Sequence, residues 1–219
     1  MKVEFVNALS GAGFPEVEVS SFVSPKWVPQ LADAADVFAA VERRPGVILS
    51  ALVPNELGLE RALKCNVDKV SVFAAASETF SHKNTGGSVA EVLGRLAPVV
   101  RQAHAAQRSV RGYVSCVVQC PYEGPIGTDP VRAVVKELLA MGVDEIDLGD
   151  TVGAAAPEDI VRLYAALGPS IPAALTTLHL HDTKGRALEN IRCALQLGVR
   201  SLDSSVGGLG GCPSAPGAP

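Results

Sequence analysis

Seven short runs rich in Val, Ile and Leu alternate along the chain with longer Ala- and Leu-rich amphipathic stretches. This alternation restricts the fold more than any single motif, because repeated strand–helix pairs wrap naturally around a parallel sheet. The predicted strands are Val17–Ser21, Val47–Val53, Val70–Ala74, Val110–Val117, Glu145–Gly149, Thr176–His181 and Ser201–Val206. Helical segments are expected near Lys2–Ala12, Ala32–Arg43, Leu57–Asn66, Ser88–Ala106, Pro130–Met141, Pro157–Leu167 and Arg186–Leu197. Turn chemistry separates them: Gly11–Gly13 and Gly142 close helices, while Asp129-Pro130 and Pro157 open them.

The element count begins with a helix and ends just after a strand. A closed barrel of eight βα units takes about 250 residues, whereas this chain has 219. The expected fold is therefore α/β, a (β/α)8 TIM barrel that is incomplete, with its first strand and last helix missing. Residues 1–219 are read as one partial catalytic barrel domain. A doubly wound open sheet would also take seven strands, but no Gly-rich phosphate loop follows an early strand.

Composition excludes several classes of function. With 19 Lys and Arg against 23 Asp and Glu, and no basic block, the chain has no electrostatic footprint for nucleic acid or an anionic membrane. No apolar run is long enough for a membrane span, and the first residues lack the character of a signal peptide. Five scattered cysteines make no disulfide framework and point to a reducing compartment.

The chemistry concentrates at strand ends. In Leu178-His179-Leu180-His181-Asp182, residues two apart on a strand share a face, so His179 and His181 project together. Two adjacent imidazoles at the C-terminal end of a barrel strand form half of a divalent-metal site; the plainer reading is two polar residues at a strand end. Glu18 alternates with apolar neighbours, and Asp150 follows Ile146-Asp147-Leu148-Gly149, so both carboxylates are candidates for acid–base or supporting roles. For Asp150 the alternative is a turn cap made with Thr151.

A third feature is the loop Ser204-Ser205-Val206-Gly207-Gly208-Leu209-Gly210-Gly211-Cys212-Pro213. Its four glycines in five positions suit a mobile lid carrying Cys212, whose thiol can serve as acid, base or nucleophile; a flexible tail is the alternative. His82, Lys83 and Asn84 are expected in a loop at a strand end, where they can meet a phosphorylated or CoA-type ligand. Cys116 and Cys120 have the spacing of a zinc half-site without a second pair to complete it.

Taken in order, six stretches resemble the hydroxymethylglutaryl-CoA lyase family of metal-dependent TIM-barrel enzymes. They are 20–30 (SSFVSPKWVPQ), 111–116 (RGYVSC), 120–124 (CPYEG), 148–151 (LGDT), 179–183 (HLHDT) and 208–213 (GLGGCP). The resemblance implies cleavage of 3-hydroxy-3-methylglutaryl-CoA to acetyl-CoA and acetoacetate, in leucine degradation and ketone-body formation, with Mg²⁺ or Mn²⁺. It implies His179 and His181 as metal ligands and Cys212, Glu18 and Asp150 as catalytic groups. Ser21, Lys83, Asn84 and Thr151 are expected at the acyl-CoA substrate. The resemblance further implies a homodimer, with a cytoplasmic location in a bacterium or the mitochondrial matrix in a eukaryote.

The chain also departs from that family. The family's Arg-Asp-Gly motif would precede Lys2 and its Asn ligand would follow Pro219, while Gly207 and Ser214 stand where Ala and Tyr are usual. On this reading two of four protein ligands are absent, and impaired activity is expected. Two other readings stay open: a non-catalytic acyl-CoA-binding fragment or pseudoenzyme, and a lyase for longer 3-hydroxy-3-alkylglutaryl-CoA substrates.

Overall fold

The structure, a computed structural model, describes residues 1–209. Among them seven strands form one sheet in the order β1 (Glu16–Ser21), β2 (Ile48–Leu52), β3 (Lys69–Ala75), β4 (Ser109–Ser115), β7 (Glu145–Asp150), β8 (Thr176–Leu180) and β9 (Ser201–Asp203). The intervening β5 (Gln119–Cys120) and β6 (Gly124–Pro125) make a small antiparallel hairpin. Pairs β1–β2, β2–β3, β7–β8 and β8–β9 are parallel, with helices α1 to α8 carrying the connections. This strand order, in which each principal strand pairs with the next, is that of a barrel wall and not of a doubly wound sheet.

The chain divides into two compact units, the first comprising Met1–Val72 with Arg95–Arg111 and the second Phe73–Gly94 with the chain from Gly112. In the first unit, α1 (Lys2–Gly11), α2 (Ala34–Ala40) and α3 (Glu56–Lys64) alternate with the strands. Helix α3 starts where Asn55 Oδ1 accepts the Gly58 N–H at 2.9 Å, and Arg61 and Lys64 in its last turn complement the helix dipole. Strand residues Val17, Leu49, Val70 and Val72 are buried, and Phe22 stacks on Phe38 with centroids 5.8 Å apart. Strand β1 carries a bulge between Glu18 and Ser20, a device that re-aims side chains near strand ends.

The second unit contains α4 (Glu78–Thr85), α6 (Thr128–Ala140), α7 (Pro157–Leu167) and α8 (Ala187–Gln196); α5 (Val89–Ala105) runs through both. Helix α7 opens with Pro157, and Asp159 Oδ2 accepts the Ala156 N–H at 2.8 Å. Its buried Ile160, Leu163 and Leu167 recur at helical spacing, as do Val131, Val134, Val135 and Leu138 of α6. On the strands, Ile146, Leu148 and Leu178 are buried. The intervening residues Asp147, Gly149, Thr177 and His179 therefore occupy the opposite face of the sheet.

Candidate active site

The end of β8 carries the expected imidazole pair. The Nε2 atoms of His179 and His181 lie 3.3 Å apart, with ring centroids at 5.0 Å and planes inclined by 69°. His179 Nδ1 is 2.8 Å from Asp203 Oδ1 on β9, its register partner across the strand pair. A carboxylate accepts but does not donate, so a neutral His179 bonded to Asp203 carries its proton on Nδ1 and turns its Nε2 lone pair toward His181. One step down the same strands, Thr177 Oγ1 meets Ser201 Oγ at 2.8 Å and Glu145 Oε1 at 2.5 Å. This part of the wall is lined by paired polar groups.

Asp150 ends β7 and is buried. Its Oδ1 accepts the Ala154 N–H at 3.2 Å and its Oδ2 the Ala155 N–H at 2.9 Å, so it caps the following loop. Burial pushes the Asp150 carboxyl above its ordinary value; the two N–H donors and the nearby His181 oppose that shift, and Asp159 adds to it. Thr151 takes no part in the cap: its hydroxyl accepts the backbone N–H of Cys116 at 2.8 Å.

The same loop turns at Gly153, with φ of +63°. A Cβ there would lie 2.6 Å from Thr183 Oγ1 and 2.7 Å from the His181 carbonyl oxygen. Only glycine lets the loop after β7 press on the segment after β8. Buried Asn190 on α8 secures the loop from another side, its Nδ2 donating to the Ala155 carbonyl at 2.9 Å.

The remaining sequence candidates divide between the units. Glu18 and Ser21 belong to the first, where Ser71 Oγ donates to Glu18 Oε2 at 2.8 Å and Ser21 Oγ accepts the Val23 N–H at 3.3 Å. Lys83 and Asn84 belong to the second, on helix α4 and not in the expected loop. That helix is nucleated by Ser77, whose Oγ accepts the Phe80 N–H at 3.0 Å, and ends at Gly86 with φ of +69°. Lys83 Nζ rests 5.0 Å from the Tyr122 ring centroid, a cation–π arrangement. Cys212 lies outside the described residues.

Cys116 and Cys120 are buried in an apolar cluster with Ala75 and Phe80. The Cys120 sulfur accepts the Ser77 hydroxyl at 3.0 Å and the Tyr122 N–H at 3.4 Å. Two groups were missed by sequence reasoning, Asp203 and Asn190. Asp203 was findable as the residue two beyond Ser201, on the same face of a strand already predicted. Asn190 offered only its polarity within an amphipathic helix.

Among the described residues, His179 and His181 are the pair whose ring nitrogens could hold a cation. Their converging Nε2 atoms fit a shared divalent ion, because two lone pairs facing each other across 3.3 Å require either a proton or a cation between them. Among the described residues no group of three or more His, Cys, Asp or Glu comes together as an ion cage, and no helix is long and apolar enough to cross a membrane.

The sequence pattern of the HMGL-like family matches residues 1–215. The chain is 47% identical over 218 residues to mitochondrial hydroxymethylglutaryl-CoA lyase of Rattus norvegicus, spanning all of this chain and 67% of that enzyme. It is 48% identical over 217 residues to the 3-hydroxy-3-isohexenylglutaryl-CoA/hydroxy-methylglutaryl-CoA lyase of Pseudomonas aeruginosa, covering 99% of this chain and 72% of that one. The HMG-CoA lyase structure from Brucella melitensis superposes with a TM-score of 0.96 at 47% identity, over 99% of this chain and 76% of that chain. An HMG-CoA lyase from A. baumannii, in complex with coenzyme A and 3-methylmalate, gives 0.94 at 35% identity, over 99% and 71%. These likenesses carry the incomplete-barrel reading of the sheet as well as the chemistry, and the chain belongs to the HMGL-like family, a family of divalent-metal-dependent lyases.

Proposed function

We propose that the chain cleaves 3-hydroxy-3-methylglutaryl-CoA to acetyl-CoA and acetoacetate, with Mg²⁺ or Mn²⁺ held by His179 and His181. The observation that carries this reading is the convergence of the two Nε2 atoms at 3.3 Å, with the far nitrogen of His179 held by a carboxylate. A bound divalent ion would polarise the substrate's tertiary alcohol and make its proton easier to remove.

The chain's own groups then have the following tasks. The Asp150 carboxylate, made more basic than an ordinary one by burial, takes the hydroxyl proton. As the carbon–carbon bond breaks, the alcohol carbon becomes the ketone of acetoacetate and the electron pair passes to the thioester as an enolate. The Cys212 thiol returns a proton to that carbon, completing acetyl-CoA. Glu18 is assigned to proton handling from β1. Ser21 uses its hydroxyl oxygen to accept the Val23 N–H, which leaves its O–H to donate to substrate. Thr151, whose hydroxyl accepts the Cys116 N–H and donates at 3.5 Å to the Gly149 carbonyl, is assigned to the substrate side of the loop after β7. Lys83 and Asn84 on α4 are assigned to polar parts of the acyl-CoA, a ligand class supported by the coenzyme A complex of the A. baumannii relative.

The test is metal-dependent release of acetoacetate from 3-hydroxy-3-methylglutaryl-CoA by the protein that carries this chain. We expect turnover that chelator removes and that His179→Ala and Cys212→Ala each reduce at least about 100-fold. Full activity in either variant overturns the corresponding assignment, and turnover indifferent to chelator overturns the metal reading. A second reading, preference for a longer 3-alkyl chain, is favoured by the name and 48% identity of the Pseudomonas relative. A panel of acyl-CoA substrates decides between them through kcat/KM.

A further inference from the structure

We infer that Asp203 is a positioning residue for His179: it fixes the Nδ1–H tautomer and thereby keeps the Nε2 lone pair directed at the cation. The inference rests on reading His179 and His181 as the ligand pair, and it assigns a role to a residue outside that pair. Asp203 Oδ1 is 2.8 Å from His179 Nδ1, and the two residues are register partners on adjacent parallel strands. The contact is thus fixed by backbone pairing on β8 and β9 and does not depend on a loop.

Neutral imidazole has one N–H, and a carboxylate beside Nδ1 can only accept it. Without Asp203, His179 would be free to carry its proton on Nε2, the atom that faces His181. That tautomer cannot ligate until the proton moves. With Asp203 present, the metal-free pair has a definite polarity: His179 Nε2 accepts and His181 Nε2–H donates across 3.3 Å. Metal binding then requires only His181 to shift its proton. Thr177 and Ser201, bonded at 2.8 Å one step down the same two strands, hold the register that makes the pairing possible.

The test uses metal-free protein labelled with ¹⁵N at histidine, with imidazole nitrogen shifts read at mildly alkaline pH. We expect His179 to show a protonated Nδ1 and a bare Nε2 in the wild type, and a shift toward Nε2–H in Asp203→Ala. Mn²⁺ titration should weaken by about 10- to 100-fold in Asp203→Ala. Asp203→Asn, which keeps a carbonyl acceptor of the same shape, should recover part of the loss. A wild-type His179 protonated on Nε2 overturns the proposal without recourse to any variant, so a variant that fails to fold does not protect it. Equal Mn²⁺ affinity in wild type and Asp203→Ala overturns the role of Asp203 while leaving the ligand pair standing. No Mn²⁺ binding by wild type overturns the ligand pair, and the inference with it.

Discussion

The backbone N–H of Cys116 donates to the Thr151 hydroxyl at 2.8 Å, and Cys116 itself holds φ of +62° in a fully buried position. A non-glycine residue pays about 1–3 kcal/mol for such backbone, so the bond to Thr151 helps keep the end of β4 in an unfavourable conformation. Thr151→Val removes the acceptor and leaves a buried N–H unsatisfied. We expect a loss of about 1–3 kcal/mol in urea unfolding. Thr151→Ser should stay near wild type, and equal losses in both would show that the hydroxyl is not the cause.

Gly153→Ala should be harmful for two reasons acting together. The new Cβ falls 2.6 to 2.8 Å from Thr183 and the His181 carbonyl, and φ of +63° is unfavourable for alanine. Relief requires the loop after β7 or the segment 181–183 to move. The expected result is a lower Tm together with weaker Mn²⁺ binding. A lower Tm with unchanged Mn²⁺ affinity would mean that the strain is absorbed away from His181.

Asp150 makes a prediction about pH. Its carboxyl is raised above the ordinary 3.8, chiefly by burial, so between that value and its higher folded value the native state holds more proton than the unfolded chain. Stability contributed by Asp150 is therefore present at acid pH and falls as pH rises through that window. Asp150→Asn abolishes the titration. The advantage of wild type over this variant should narrow as pH rises above the ordinary 3.8 in metal-free denaturant titrations; an advantage that widens contradicts the burial argument.

At the start of the strands in the first unit, Glu16 is shared by two cations. Lys69 Nζ lies 2.6 Å and Arg111 Nη2 3.0 Å from the same oxygen, with side chains only 11% and 8% exposed. Glu16→Gln removes a charge that both cations share in a nearly buried setting and should cost more than about 1 kcal/mol, the upper range for an exposed pair. Lys69→Met keeps the Glu16–Arg111 pair and the apolar stem, and should cost clearly less. Thermal unfolding of the two variants side by side provides the comparison.

All seven sheet strands could be read from the sequence because short runs containing Val, Ile, Leu or Thr stand between turn residues and helical stretches, and only their ends moved by a few residues. Helix α4 escaped detection because 78–85 reads ETFSHKNT, almost without an apolar stripe. Its signals were the cap at Ser77 and the left-handed Gly86, which are local and not periodic. The hairpin of β5 and β6 is two residues per strand, too short for alternation to show. His179 and His181 stood out because their spacing alone puts them on one face. Asp203 did not, since its importance comes from pairing with a residue 24 positions away. The role of Asp150 was half visible: a turn cap was anticipated, but the partners are the Ala154 and Ala155 amides and not Thr151.

The polar pairs between β8 and β9 also bear on how the chain avoids misfolding. Side chains alternate faces along a strand, so sliding β9 by one residue would exchange Asp203 for a leucine or serine opposite His179 and turn Ser201 away from Thr177. Both hydrogen bonds would fail at once, and Leu202 would enter the polar face. Correct pairing and the placement of the His179 imidazole are consequently the same event, so a chain that has assembled its sheet out of register would lose the carboxylate at His179 Nδ1 along with its strand pairing.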